Sequence, residues 1–458
     1  MASNRREVLP DIMAAGAVAI VGSTTGKPGA SEAMAAELPE PAASGIEHIV
    51  VLTMENRSFD HLLGWLPGAD GKQAGFTFED LQGNQHGTYP LAPNFTGCPQ
   101  AVDNSYQSAR VEYASGAMNG WLRLSTSSLF AIGYYVGADQ PFYSAFAQNY
   151  TALDHNFCSF LGPTFPNRLF LYAAQTDRLS DTLSLTSLPT ILDKLAAAHV
   201  SARYYFSNVP FLALWGLKYL PIARTYDEFI EDAASGRLPA VSFVDPTFTI
   251  IDDGAGNDDH PHTNIRRGDA FLAKTFHAVT SGPGWPHTVF IVIFDESGGF
   301  FDHVPPPRAA APNKVDTDLV DGKALLGFRI PAVIASPWTR GDAVSPRVNS
   351  TVFDHTSILK LIEWRWGLPP LTARDASTDV GNLAAALDFS SPNAEVPALP
   401  MPKPPAPVPC FQTLFGPLVE GQAAPKQGTP NATEWSPLAG SKLMEPWKGK
   451  MRQATRHR

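Results

Sequence analysis

Four near-continuous apolar runs punctuate the chain, at residues 46–53, 240–244, 288–294 and 331–336. In the third, Thr288 is followed by Val289, Phe290, Ile291, Val292, Ile293 and Phe294 without a polar interruption. Such runs mark strands covered by apolar material on both faces, as in parallel sheets flanked by helices. Between them, residues 188–198, 226–235, 267–279 and 353–366 repeat apolar positions at helical spacing. Strands alternating with helices of this length predict an α/β fold, a doubly wound, mostly parallel sheet with helices on both faces.

The remaining stretches predict how the chain is organised. Residues 1–44 are rich in Ala, Gly, Ser and Pro and stand outside the fold as a leader. Within them, Asn4-Arg5-Arg6-Glu7-Val8-Leu9, an apolar run from Ile12 to Val21 and Ala33-Met34-Ala35 read as a twin-arginine signal with a cleavage site. Export to the periplasm or outside the cell is the expectation, although Asp11 interrupts the pattern. Residues 45–390 form one domain, in which 64–149, without a clear period, supply loop insertions over the site. Residues 391–458 form a Pro-rich extension. Its segment 401–407 is predicted to run as a polyproline strap, and the basic tail from Lys442 to Arg458 as a solvated, disordered end.

Composition narrows the function classes. Lys and Arg number 34 against 44 Asp and Glu, so the net charge is 34 − 44 = −10. That balance excludes nucleic acid as a partner, since a phosphate-backbone binder needs clustered cations. No uncharged apolar run reaches the ~18 residues of a membrane-spanning helix. Cys98, Cys158 and Cys410 contain no Cys-x-x-Cys pair, which argues against a zinc motif and fits one disulfide and one free thiol. No Gly-x-Ser-x-Gly elbow of the serine hydrolases occurs.

The candidate chemistry lies just beyond the strands. The first run ends in Met54-Glu55-Asn56-Arg57-Ser58-Phe59-Asp60-His61 and the third in Asp295-Glu296-Ser297-Gly298-Gly299-Phe300-Phe301-Asp302-His303. Ligands of open α/β sheets bind at the carboxyl ends of strands, so both acidic groups face one crevice. Glu55, Asn56, Asp295 and Glu296 offer only oxygen donors, which suits one divalent cation of the Mg²⁺, Ca²⁺ or Mn²⁺ type, with Zn²⁺ and iron as alternatives. In Gly162-Pro163-Thr164-Phe165-Pro166-Asn167-Arg168, Thr164 is placed as the N-cap of a helix, where free N–H groups attract anions. Asn167 could hydrogen-bond a phosphoryl oxygen from there. In Asn257-Asp258-Asp259-His260-Pro261-His262, the proline holds the preceding residue extended and presents His260 for proton transfer or, alternatively, metal ligation. Asp354 is expected to cap the last helix, with His355 beside it as a weaker candidate.

These four motifs, in this order, resemble the phosphoesterase family that contains bacterial and plant non-specific phospholipases C and certain acid phosphatases. Lesser matches at Gly133-Tyr134-Tyr135, Ser336-Pro337-Trp338 and His355-Thr356-Ser357 extend the likeness over about residues 46–390. The resemblance implies an alkaline-phosphatase-like fold and one bound metal held by Glu55, Asn56, Asp295 and Glu296. It implies Thr164 as a nucleophile that forms a phospho-threonine, Asn167 steadying the phosphoryl group and His260 assisting proton transfer. His303, His355 and Tyr106 are secondary candidates. Tyr106 stands where the family's Asp-Pro-x-His stretch, here Asp103-Asn104-Ser105-Tyr106, carries a histidine, and Met118-Asn119-Gly120 replaces the usual Met-Asp-Gly. The expected activity is hydrolysis of phospholipid phosphodiesters, with peripheral membrane contact through exposed aromatics of residues 64–149. An acid phosphatase acting on small phosphate esters is the alternative, and a non-catalytic phospho-ligand module a minor one.

Overall fold

Residue pairing places the four predicted strands at the centre of one sheet. A computed structural model describes residues 38–97, 102–251, 253–410 and 433–454. The eight strands are β1 (His48–Met54), β2 (Thr151–Leu153), β3 (Ala202–Phe206), β4 (Ala223–Thr225), β5 (Val241–Val244), β6 (Thr288–Phe294), β7 (Ala332–Ala335) and β8 (Arg347–Asn349). They lie in the order β8-β2-β7-β6-β1-β5-β3-β4. β1 pairs in parallel with β6 on one side and β5 on the other, and only β7 runs against the rest. All seven residues of β6 are buried. Since adjacent side chains on a strand point to opposite faces, both faces of the sheet must be covered.

Helices supply that cover. They are α1 (Phe59–Leu63), α2 (Tyr106–Tyr113), α3 (Pro141–Asn149), α4 (Thr164–Ala173), α5 (Ile191–Ala197), α6 (Tyr226–Ala234), α7 (Ile265–Ser281), α8 (His355–Trp366), α9 (Ala373–Ala376), α10 (Trp435–Ala439) and α11 (Glu445–Ala454). α3 and α6 pack on α7, while α5 and α8 pack on α4 and α9 on α8. As expected, Asp354 starts α8, its carboxylate accepting from the Thr356 N–H at 2.8 Å. Four strands escaped the sequence pattern. β2, β4 and β8 are three residues each, too short to show a period, and β3 carries Arg203 in mid-run.

Two expectations need correction. The stretch 64–149 is not only a cover, because α3 enters the main core through Phe142, Tyr143 and Phe146. A smaller core of Phe78, Met118, Trp121, Ile132, Phe301 and Phe328 gathers the rest of it. The basic tail is not a disordered end over its described part. It forms α11, with Trp447 fully buried against Tyr204 and Phe206 at ring distances of 6.5 and 5.9 Å. Apolar burial of an indole outweighs the cost of ordering a short charged helix. The Pro-rich stretch does lie as a strap, with Arg267 donating to the Pro405 carbonyl at 2.7 Å and the Trp285 indole to that of Ala394 at 2.8 Å. The predicted signal and the first part of the leader, Met1–Glu37, lie outside the described residues, as does Cys98. Cys410 is disulfide-bonded and Cys158 is a buried free thiol. No helix among the described residues is long and apolar enough to cross a membrane.

Left-handed glycines separate two costs. Gly298 after β6 has φ +67, and a Cβ there would stand 2.2 Å from the Asn56 carbonyl oxygen, whereas Gly367 at the end of α8 has φ +63 and open space around it. Gly367→Ala should lose about 1 kcal/mol through backbone strain alone. Gly298→Ala should lose roughly 3 kcal/mol or more, because strain and steric conflict with Asn56 add. Urea unfolding of both variants checks this, and equal losses would refute the steric part.

Candidate active site

Because Met54 on β1 pairs with Phe294 on β6, the residues that follow emerge side by side: Glu55 and Asn56 from one strand, Asp295 and Glu296 from the next. β5 lies on the other side of β1 and delivers Asp245 to the same edge. All five are buried. Asn56 adopts φ +57, a left-handed conformation that Asn tolerates better than most residues. That turn aims its N–H at Asp295 Oδ1, 3.0 Å away, and its side-chain amide donates to Glu296.

One guanidinium ties these strand ends to a helix. Arg168, fully buried on α4, donates from Nε to Glu55 Oε1 and Asp295 Oδ2, each at 3.0 Å, and from Nη1 to Asp245 Oδ1 at 2.9 Å. Its Nη2 also pairs closely with Glu55. Arg168 stands one turn after Thr164, so both share a face of α4 and Thr164 is held at the acidic cluster. Thr164 is the first residue of the helix and not its cap. Pro163 takes the cap position in extended backbone, and the Thr164 hydroxyl is thereby left to donate to Glu434 Oε1 at 3.3 Å.

Asn167 does not reach into this space. Its Oδ1 accepts from the Phe160 N–H at 2.9 Å, and its Nδ2 donates to the carbonyls of Phe160, Gly162 and Pro163 at 2.9 to 3.1 Å. These bonds saturate the amide and fix the loop that leads into Thr164. Tyr106 supports the same loop from outside, stacking on Phe160 with centroids 5.6 Å apart and donating to Asp316 at 2.7 Å. Its neighbour Asn104 makes the polar contact, donating to Glu296 Oε1 at 2.8 Å. His260 does join the cluster, its Nε2 lying 3.4 Å from Glu434 Oε2. Arg57 positions it, donating to the carbonyl of Asp259 at 2.7 Å and that of His260 at 3.3 Å.

His355 and His303 have other work. His355 is buried, its Nε2 donating to the Phe294 carbonyl at 3.0 Å while Nδ1 accepts from the Ser159 N–H at 3.2 Å, and burial lowers its pKa. It is a neutral strut beneath Asp295. His303 pairs with Asp60 at 2.6 Å, and that partner raises its pKa against the effect of burial. Asp60, Asp302 and His303 present ligand atoms within 4.8 Å of one another, a spacing consistent with a divalent cation. Arg329 already donates into that group, to Asp302 at 2.8 Å and Asp60 at 3.1 Å.

The strand-end donors fit a cation on electrostatic grounds. Burial pushes the Glu55 and Glu296 carboxyls well above their ordinary range, and the Asp295 charge pushes both further. Glu55, Asp245, Asp295 and Glu296 are four buried carboxylates against the single guanidinium of Arg168. The Asn56 Oδ1 is buried and accepts no hydrogen bond. An oxygen-only donor set with excess negative charge and an unused acceptor is what a hard divalent ion requires.

Comparison with known proteins supplies the family. The model of the phosphoesterase family matches residues 46–369. The chain belongs to that family. It is 31% identical over 373 residues to non-specific phospholipase C6 of Arabidopsis thaliana, covering 73% of this chain and 71% of the relative. With phospholipase C A of Mycobacterium tuberculosis it shares 30% identity over 465 residues, 85% of this chain and 86% of the relative. A solved alkaline phosphatase superfamily protein from Vibrio parahaemolyticus aligns with 76% of this chain and 74% of its own at 11% identity and TM-score 0.37. The phosphoesterase is thus a hydrolase acting on phosphoric ester bonds.

Sequence reasoning missed Arg168, Asp245 and Glu434. The first two had signals, since Arg168 follows Thr164 by one helical turn and Asp245 follows an apolar run as Glu55 and Asp295 do. Glu434 had none, because it is 270 residues from its partner Thr164.

Removing Arg168 tests the central ion cluster. Arg168→Gln should cost about 3–5 kcal/mol at neutral pH, the usual penalty for stranding buried charges. Burial already raises the Glu55 and Asp245 carboxyls above their unfolded values and the Arg168 charge pulls both down, so without the guanidinium both would rise further. The folded variant then binds more protons, so its stability rises as pH falls from 7 to 5 and the deficit narrows. Urea midpoints across that range measure it, and a deficit independent of pH would refute the electrostatic account.

Proposed function

We propose that the protein is a metal-dependent phosphoesterase of the phospholipase C type, with Thr164 as nucleophile. The observation that carries this reading is Arg168, which locks the helix bearing Thr164 onto the carboxylates Glu55 and Asp295 at the ends of the two central strands. The names of its relatives at about 30% identity, phospholipases C of plant and bacterial origin, support a phospholipid substrate.

A divalent cation held by Glu55, Asn56, Asp295 and Glu296 would supply Lewis acidity, lowering the pKa of the Thr164 hydroxyl and offsetting phosphoryl charge. The protein's own groups do the rest. Thr164 Oγ1 gives its proton to solvent water and attacks phosphorus, the bond from phosphorus to the lipid alcohol breaks, and a phospho-threonine that still carries the head group forms. His260 gives a proton to the departing alkoxide and then takes one from the water that hydrolyses phospho-threonine. Asn167 acts as a positioning residue, holding the Phe160–Pro163 carbonyls so that Thr164 faces the crevice. Arg57 positions His260 through the two carbonyls around it.

Hydrolysis of phosphatidylcholine and of p-nitrophenyl phosphate, measured with and without chelator, tests the reading. Diacylglycerol release should fall at least ~10³-fold in Thr164→Ala and vanish with chelator, as expected on loss of a covalent nucleophile or its metal. Acid-quenched wild type should carry one phosphoryl group on the peptide containing Thr164. Turnover of the monoester alone would move the assignment to acid phosphatase, and full activity in Thr164→Ala would overturn the mechanism.

A further inference from the structure

Thr164 has no solvent exposure, and the partner of its hydroxyl comes from the far end of the chain. Glu434 places Oε1 at 3.3 Å from the Thr164 hydroxyl and Oε2 at 3.4 Å from His260 Nε2. Its carboxylate thus sets two acceptor oxygens between the nucleophile and the proton donor. The next residue, Trp435, donates from its indole to Glu55 Oε2 at 3.1 Å. The same ring stacks on Phe248 at 3.7 Å with an interplanar angle of 11° and lies 5.2 Å from the Arg168 guanidinium.

Resting on the reading of Thr164 as nucleophile, we propose that residues 433–447 are an internal plug. In it Glu434 occupies the place of the substrate's phosphoryl oxygens, Trp435 covers the carboxylate Glu55, and both must withdraw before a phosphate ester reaches Thr164. The Glu434 charge adds to the upward push on the Glu55, Glu296 and Asp181 carboxyls, while His260, a backbone N–H and the Glu55 side chain hold it in place. A buried carboxylate among others is retained only if neighbouring contacts hold it there. Those contacts are visible. Thr433 Oγ1 donates to the Thr249 carbonyl at 2.5 Å, and the side chains of Leu438, Met444 and Trp447 are buried in the main core. The plug therefore combines a tight apolar anchor with an acidic tip on Thr164 and His260, with which an incoming phosphoryl group competes directly.

The test uses the full chain with Glu434→Gln and, separately, Trp435→Ala, each checked for native circular dichroism, with Thr164→Ala as the blank. Both variants should raise kcat/KM on p-nitrophenyl phosphate at least about fivefold, chiefly through a lower KM, and bind inorganic phosphate correspondingly tighter by calorimetry. In the wild type, inorganic phosphate or orthovanadate should speed tryptic cleavage at Lys442 and Lys448, reporting release of the plug without any turnover. A fall in kcat for Glu434→Gln with unchanged phosphate affinity would make Glu434 a base for Thr164 and overturn the proposal. Unaltered kinetics and unaltered proteolysis would overturn it as well. Wild-type activity no greater than that of Thr164→Ala would instead count against the nucleophile assignment, leaving phosphate affinity and proteolysis to decide on the plug.

Discussion

The buried guanidinium of Arg168 is the contact on which the site depends. It satisfies Glu55, Asp245 and Asp295 at the ends of three adjacent strands while being carried on the helix that Thr164 begins. A planar group with several donors in fixed directions can meet three carboxylates at once, which an ammonium cannot do. The same contact therefore sets charge balance and the register of helix against sheet. Were the helix to slide by one residue, both the ion cluster and the aim of Thr164 would be lost.

The chemistry gathers at the strand ends because the strands leave no other place for it. β1 and β6 are buried on both faces, so their side chains are committed to apolar packing up to Met54 and Phe294. Polar groups can enter only where the backbone leaves the sheet. The left-handed turns at Asn56 and Gly298 make that exit abrupt and press the two segments leaving the strands together, with the Asn56 carbonyl against Gly298. Four carboxylates and one amide are consequently packed with too little positive charge. The raised protonation tendency of Glu55 and Glu296 records their burial first and that imbalance, through the Asp295 charge, second.

Around this centre the remaining polar groups divide into those that face the crevice and those that hold its walls. His260 and Thr164 face it. Asn167, His355, Arg57 and Tyr106 hold walls, the first three through a loop backbone or a neighbouring strand end and Tyr106 through the Asp316 carboxylate. The C-terminal segment then closes the front, and the indoles of Trp435 and Trp447 convert a Pro-rich, charged extension into part of the core.

The amino-acid sequence by itself determined the α/β class, the four central strands, the acidic exits after β1 and β6, and the order of motifs that marks the family. These features are local. An unbroken apolar run or a Gly-Gly after a strand carries its meaning within about ten residues, so pattern alone reveals it. Tertiary structure decided the roles. Asn167 and His355 are residues of catalytic type whose side chains are consumed by nearby backbone groups, and a sequence shows residue type but not what a side chain is bonded to. The short strands β2, β4 and β8 exist only because their neighbours offer unpaired edges. The meeting of Glu434 with Thr164 spans 270 residues. Nothing in the composition of either segment encodes it, because it arises from where α11 finds an apolar surface to bury Trp447.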